Sequence, residues 1–170
     1  MQKSRFSVRS LALSGIIAAI YAALTLLLPI PQYGGVQLRV AEAMTLLPFL
    51  VPEATVGLTV GCFLSNLLGS PYVLDWVFGT LATLLAASLT RRMPNKWLAA
   101  VPPVLCNALI IGAEVAYFSV LDGTAFAPAF AFNAFTVGLG EAIACFALGV
   151  PLVNWMQKNA FMREFLAKVR

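Results

Sequence analysis

Arg39 and Glu42 stand three residues apart within 36–52, a stretch otherwise apolar enough to lie in lipid. On a helix that spacing puts both on one face, where the two charges can pair. Charged groups in such surroundings are expensive, and they usually face a bundle interior or a water-filled cavity. Further polar side chains interrupt the apolar runs that follow. They are Asn66, Asp75 beside Trp76, Asn107 and Glu114 with Tyr117 one turn on, then Asn133 and Glu141. Enzyme chemistry is poorly served by this set. The chain has no histidine, so the commonest general base and metal ligand is absent. It has no GxxxxGK[ST] loop either, which removes that route to ATP hydrolysis. Energy for any transport would have to come from a partner or an ion gradient.

The elements that must position these residues follow from composition. Of 170 residues, 61% are hydrophobic and 11% charged, with a mean hydropathy of +0.89. Soluble domains carry about 25% charged residues, so an integral membrane protein is expected. The length gives room for one compact bundle, a single domain over 1–170. Cys62, Cys106 and Cys145 lie far apart inside apolar segments, an odd count that argues against a disulfide framework or metal cluster. They read as buried thiols acting as small apolar residues.

Six spans are expected, over about 10–30, 36–51, 54–69, 74–90, 98–121 and 130–155, in the order of the apolar runs. The second has 16 residues, about 24 Å as an α-helix, which is short for a crossing. Pro128 is expected to separate a loop or interfacial portion from a sixth helix beginning near Phe130. The tail after Trp155 reads as an amphipathic helix on the membrane surface.

The net charge of +4 does not point to nucleic acid, because its distribution is topological. Lys3, Arg5 and Arg9 precede the first run; Arg91, Arg92 and Lys96 lie in mid-chain; Lys158, Arg163, Lys168 and Arg170 follow the last. With six spans all three clusters fall on one side, whereas five would split them. The positive-inside rule therefore favours six spans with both termini cytoplasmic. The polar residues then concentrate in the outer half, and only Glu141 lies near mid-membrane. Such a cluster resembles a binding pocket open to the outside.

Structural readings stand beside the functional ones. Arg39 and Glu42 could be a scaffold pair, since an isolated buried charge costs far more than a paired one. Asp75 could be only a helix cap, and the depth of Glu141 also suits a structural hydrogen bond. Trp76, Tyr117 and Trp155 could be interfacial anchors, although the first two can also stack on a ligand. On the first helix, Ser14, Ala18 and Ala22 form one row of small residues and Gly15, Ala19 and Ala23 the next. Rows of this kind let a second helix approach closely, from this bundle or from another protein.

Three sequence blocks carry a family likeness. Gln37-Leu-Arg-Val-Ala-Glu-Ala43 with the following Leu-Pro-Phe-Leu-Val-Pro, and Val60-Gly-Cys-Phe-Leu-Ser-Asn-Leu-Leu-Gly69, resemble the QueT family of membrane proteins. So does Asp75-Trp-Val-Phe-Gly-Thr-Leu-Ala-Thr-Leu-Leu-Ala-Ala87. The resemblance implies a six-helix substrate-binding (S) component of an energy-coupling factor (ECF) transporter in a prokaryotic plasma membrane, importing a queuosine precursor. It implies as partners a transmembrane coupling subunit and two ATPase subunits, and no cofactor. It also implies docking on the coupling subunit through an Ala-x-x-x-Ala pattern, matched here by Ala18/Ala22 and Ala19/Ala23.

A 7-deazaguanine ligand would suit such a pocket. Its N1–H and exocyclic amine offer a donor edge to a carboxylate, its ring can stack on an aromatic, and an aminomethyl group would need a second carboxylate. The candidate binding residues are Arg39, Glu42, Asn66, Asp75, Trp76, Glu114, Tyr117, Asn133 and Glu141. An S component for another planar vitamin, a small intramembrane enzyme and a structural subunit remain the alternatives.

Overall fold

The computed structural model describes residues 8–33 and 37–169, with the side chains of 168 and 169 excepted. The basic residues Lys3 and Arg5, the glycines of the first turn, the start of the second segment at Val36, and Arg170 lie outside the described residues, as does the side chain of Lys168. Seven helices account for most of the described chain: α1 (Val8–Leu27), α2 (Val40–Phe49), α3 (Ala54–Gly69), α4 (Asp75–Thr90), α5 (Lys96–Leu121), α6 (Phe126–Lys158) and α7 (Ala160–Val169). No strand occurs among the described residues. Of these helices, α1, α5 and α6 are long and apolar enough to cross a membrane; α2, α3 and α4 are shorter apolar helices. Leu11, Ile16, Leu105, Leu109, Phe132 and Phe135 are all exposed. Outward-facing bulk of this kind suits lipid rather than water.

The second segment departs most from expectation. It is a 3-10 helix only ten residues long, not an α-helix over 36–51. A 3-10 helix rises about 2 Å per residue, so α2 still extends about 20 Å. Every residue from Ala41 to Pro48 is buried, because α1, α3, α4 and α6 all pack around it. A helix apolar on all sides is one that other helices enclose, and α2 is the core of the bundle.

Two prolines shape α6, and the first departs from the sequence expectation. Pro128 lies inside the first turn of α6, which begins at Phe126 rather than near Phe130. A first-turn proline costs no hydrogen bond, since its missing N–H would have had no helical partner. Further along the same helix, Ile143–Gly149 adopts π-helical geometry ahead of Pro151. The wider turn accommodates the proline, whose ring disturbs the carbonyl four residues earlier.

Close helix contacts come from small residues. A Cβ on Gly57 would lie 2.6 Å from the Ser14 carbonyl oxygen, and one on Gly61 would lie 2.8 Å from that of Ala18. The buried row containing Ser14 and Ala18 therefore packs on α3, with Ser14 Oγ donating to the Glu53 carbonyl at 3.0 Å. The neighbouring row differs: Gly15, Ala19 and Ala23 are exposed, and Ala22 is half-buried. All three cysteines are free thiols; Cys62 and Cys145 are buried and Cys106 is half-buried.

The bundle has two unlike ends. At one, Tyr33 Oη donates to the Ser65 carbonyl at 2.8 Å, near Asn66 and Asp75. At the other, Lys96 Nζ donates to Asn154 Oδ1 at 2.6 Å, in the company of Arg91, Arg92 and Lys158. Nearby, Asn95 Oδ1 caps the start of α5 by accepting from the Trp97 and Leu98 amides.

Candidate functional site

Polar side chains from five elements line two small adjoining pockets, the two lobes of one candidate site. One lobe is lined by Glu42, Asn107, Ile111, Val137 and Glu141. The second is lined by Tyr33, Asn66, Asp75, Gly79 and Val115. Gln37, Arg39 and Ile111 belong to both. The shared segment is held by a close backbone approach: a Cβ on Gly140 would lie 2.0 Å from the Gln37 carbonyl oxygen. Only glycine there lets the strand of chain before α2 press against α6.

Arg39 and Glu42 share this cavity but do not form a direct ion pair among the described residues. Arg39 sits in extended backbone as the residue before α2, so the helical register that would align it with Glu42 never starts. Its Nε donates to the Gln32 carbonyl at 2.7 Å, and its guanidinium lies 4.7 Å from the centre of the Tyr33 ring. Cation–π contact of this kind stabilises a partly desolvated guanidinium. Burial pushes the Tyr33 phenol up, and the Arg39 charge beside it opposes that rise.

Glu42 finds its donor on another helix. Tyr21 Oη, fully buried on α1, donates to Glu42 Oε1. The other carboxylate oxygen, Oε2, is buried with no hydrogen-bond partner among the described residues. Glu141 lines the same lobe as Glu42 and accepts from Cys145 Sγ at 3.4 Å, and that thiol also reaches the Glu42 carbonyl at 3.7 Å. Two acids and one guanidinium thus occupy one lobe.

The second lobe is built around Asn66 and Asp75. Asn66 Nδ2 donates to the Asp75 carbonyl at 2.8 Å, while Asn66 Oδ1 is buried and unpartnered among the described residues. Ser70 Oγ donates to Asp75 Oδ2. Asp75 does not cap its helix with its side chain. It instead opens a π-helical turn through Gly79. Turns of this kind are frequent at functional sites because they re-aim side chains. A second π-helical segment lies directly after Glu141.

Of the residues expected from sequence, Arg39, Glu42, Asn66, Asp75 and Glu141 come together here. Four others do not line this cavity. Trp76 is half-buried and its Nε1 donates to the Ser70 carbonyl at 3.3 Å. Asn133 turns its amide back to the Ala129 carbonyl at 2.8 Å on its own helix. Glu114 and Tyr117 line a separate groove with Leu74, Phe78, Leu109, Ile110 and Ala113. Glu114 adjoins Asp75 electrostatically, yet both its carboxylate oxygens are buried without hydrogen-bond partners among the described residues.

That groove, between α4 and α5, has about 590 Å³ of free space, against about 10 Å³ in each polar lobe. Size alone would favour the groove. Its walls, however, are nearly all apolar and include exposed Phe78, Leu109 and Tyr117, the kind of surface a bundle turns to lipid. The polar lobes have the hydrogen-bonding chemistry, with room for about one water each. Tyr21, Tyr33, Gln37, Asn107 and Cys145 were not singled out as site residues by sequence. Tyr21 carried one usable signal, a lone phenol in an otherwise apolar first helix.

Comparison with known proteins bears on what this cavity serves. Residues 11–158 match the model of the QueT transporter family. The chain is 37% identical over 76 residues to the queuosine precursor transporter QueT of Lactococcus lactis subsp. cremoris (strain MG1363). That alignment covers 44% of each protein, so the chain spans less than half the length of this curated relative. No solved structure matches it. With its family match running through nearly all the described helices, the chain belongs to the QueT transporter family.

Proposed function

We propose that this protein is the substrate-binding component of an ECF-type importer, capturing a queuosine precursor from outside a prokaryotic cell. Family membership supports a transporter rather than an enzyme, and the relative's assignment supports the substrate class. In this reading the six apolar helices α1–α6 all cross the plasma membrane and both termini are cytoplasmic. The basic residues at the Lys96–Asn154 end then obey the positive-inside rule, and the polar cavity lies in the outer half. ATP hydrolysis belongs to two partner subunits, reached through a transmembrane coupling subunit.

The observation that carries the proposal is the two-lobed cavity. Glu42 Oε2 and Asn66 Oδ1 are buried acceptors without donors among the described residues, at opposite lobes joined by Arg39. A buried acceptor left unpaired costs about 1–3 kcal/mol, which a ligand with donors at both ends would recover. A 7-deazaguanine base offers a donor edge for Asn66 and Asp75, and its carbonyl can accept from Arg39. The lobes must widen to admit a bicyclic base. For docking on the coupling subunit, the exposed row with Ala19 and Ala23 is the available one. Ala18 is packed on α3, and Ala22 is only half-buried.

Calorimetric titration of the purified chain with 7-deazaguanine bases, against riboflavin and thiamine, tests the reading. Saturable heat is expected with the deazaguanines alone. Heat with a vitamin and none with any deazaguanine would sink it.

A further inference from the structure

Resting on the proposed function, we infer that the Glu42–Glu141 lobe selects a ligand carrying a protonated amine and exchanges a proton for it on binding. The charges gathered in that lobe set what it can hold. Glu42 and Glu141 come from α2 and α6, and both are more than nine-tenths buried. They line the same small lobe, and the Cys145 thiol reaches both Glu141 Oε1 and the Glu42 carbonyl. The other titratable and charged groups facing them are Tyr21 from α1, Arg39 ahead of α2, Cys62 from α3, Cys106 from α5 and Cys145 from α6, with Asp75 beyond Arg39 in the adjoining lobe. Asn107 from α5 is neutral. Arg39 is the one cation in this set.

Two carboxylates beside one guanidinium would bury a net negative charge, and like charges this close cannot both ionise. A single proton held between Glu42 and Glu141 makes the empty lobe neutral. Tyr21 already donates to Glu42 Oε1 and Cys145 to Glu141 Oε1, so the unpartnered Glu42 Oε2 is the atom left to receive a new donor. An ammonium offers three donors and one positive charge. When it enters, the shared proton leaves to solvent. Both acids are then ionised, and Arg39 with the ammonium balances them. The lobe is neutral before and after, and the ligand's cation replaces the proton.

An uncharged substituent at the same ring position cannot make this exchange. Asn66, Asp75 and Arg39 would still hold the ring, while the acid pair keeps its proton. The lobe therefore discriminates among queuosine precursors by charge, tighter for an aminomethyl-bearing 7-deazaguanine than for its nitrile counterpart.

The test is calorimetry on the wild-type chain with both bases, at one pH in two buffers of different ionisation enthalpy. The amine is expected to bind with release of about one proton per chain and at least about 30-fold tighter than the nitrile. The nitrile is expected to release none. In Glu141→Gln, proton release disappears and amine affinity falls towards that of the nitrile, whose own binding reports an intact fold. Equal affinities, or amine binding without proton release, would overturn the inference and leave the transport reading standing. If neither base binds, both fall.

Discussion

Tyr21 of α1 donates its phenolic proton to Glu42 of α2 inside the bundle, with neither side chain reached by solvent to more than about one part in a hundred. The bond ties the first helix to the one that all the others surround. It also fixes which oxygen of Glu42 is left for a ligand. A carboxylate with one oxygen anchored and the other free is oriented before any ligand arrives.

Tyr21→Phe should therefore act on stability and on binding together. Removing the hydroxyl leaves a buried carboxylate short of a donor, at a cost of about 1–3 kcal/mol. A lower melting temperature and weaker ligand binding are expected in detergent-solubilised protein. An unchanged melting temperature would mean that Glu42 does not depend on this bond.

The two rows of small residues on α1 should separate cleanly under mutation. Gly61→Ala forces a methyl to within 2.8 Å of the Ala18 carbonyl and should destabilise the α1–α3 contact by about 1–3 kcal/mol. Ala19→Leu adds bulk to an exposed position and should leave the melting temperature and ligand affinity of the isolated chain unchanged. In cells it should lower uptake, by blocking the approach of a coupling subunit. Loss of ligand affinity in the purified Ala19→Leu chain would contradict this division.

Gly79→Ala offers a way to disturb the second lobe without touching a polar group. The added Cβ would lie 2.4 Å from Asn66 Nδ2, so Asn66 must leave the Asp75 carbonyl. Ligand affinity is expected to fall about tenfold or more, corresponding to one lost hydrogen bond. Affinity equal to the wild type would remove Asn66 from the binding set.

Glu114 provides the contrast. It lines the apolar α4–α5 groove rather than the polar lobes, yet its carboxyl adjoins that of Asp75. Glu114→Gln should weaken ligand binding through Asp75 more than it lowers the melting temperature. An equal loss of both would mark the acid as structural.

Much of the architecture could be read from the chain, and what could not has physical causes. The sequence predicts the third segment at 54–69 and α3 occupies Ala54–Gly69, because Pro52 and the Gly69-Ser-Pro71 break bound it on both sides. The length of the second segment was misjudged because apolar content does not distinguish an α-helix from the 3-10 helix at Val40–Phe49. The pairing of Arg39 with Glu42 failed for the same reason, since spacing arguments hold only inside a helix and Arg39 lies just outside it. Asn107 and Glu114 lie seven residues apart on α5 and line different spaces, which spacing along one helix does not reveal. Partners that lie distant in the chain, such as Tyr21 for Glu42 or Gly140 for Gln37, left no local pattern to find.

Arg39 and Glu42 now stand as two walls of one cavity rather than as a pair, and a double variant tests whether that cavity holds the ligand. Arg39→Met with Glu42→Leu removes one buried cation and one buried anion together; the Tyr21 hydroxyl loses its acceptor at a cost of about 1–3 kcal/mol, and the chain should remain folded and monodisperse. Titrated beside the wild type with a 7-deazaguanine base, the folded variant should show no saturable binding. Wild-type affinity in that variant would make both residues scaffold and contradict the account.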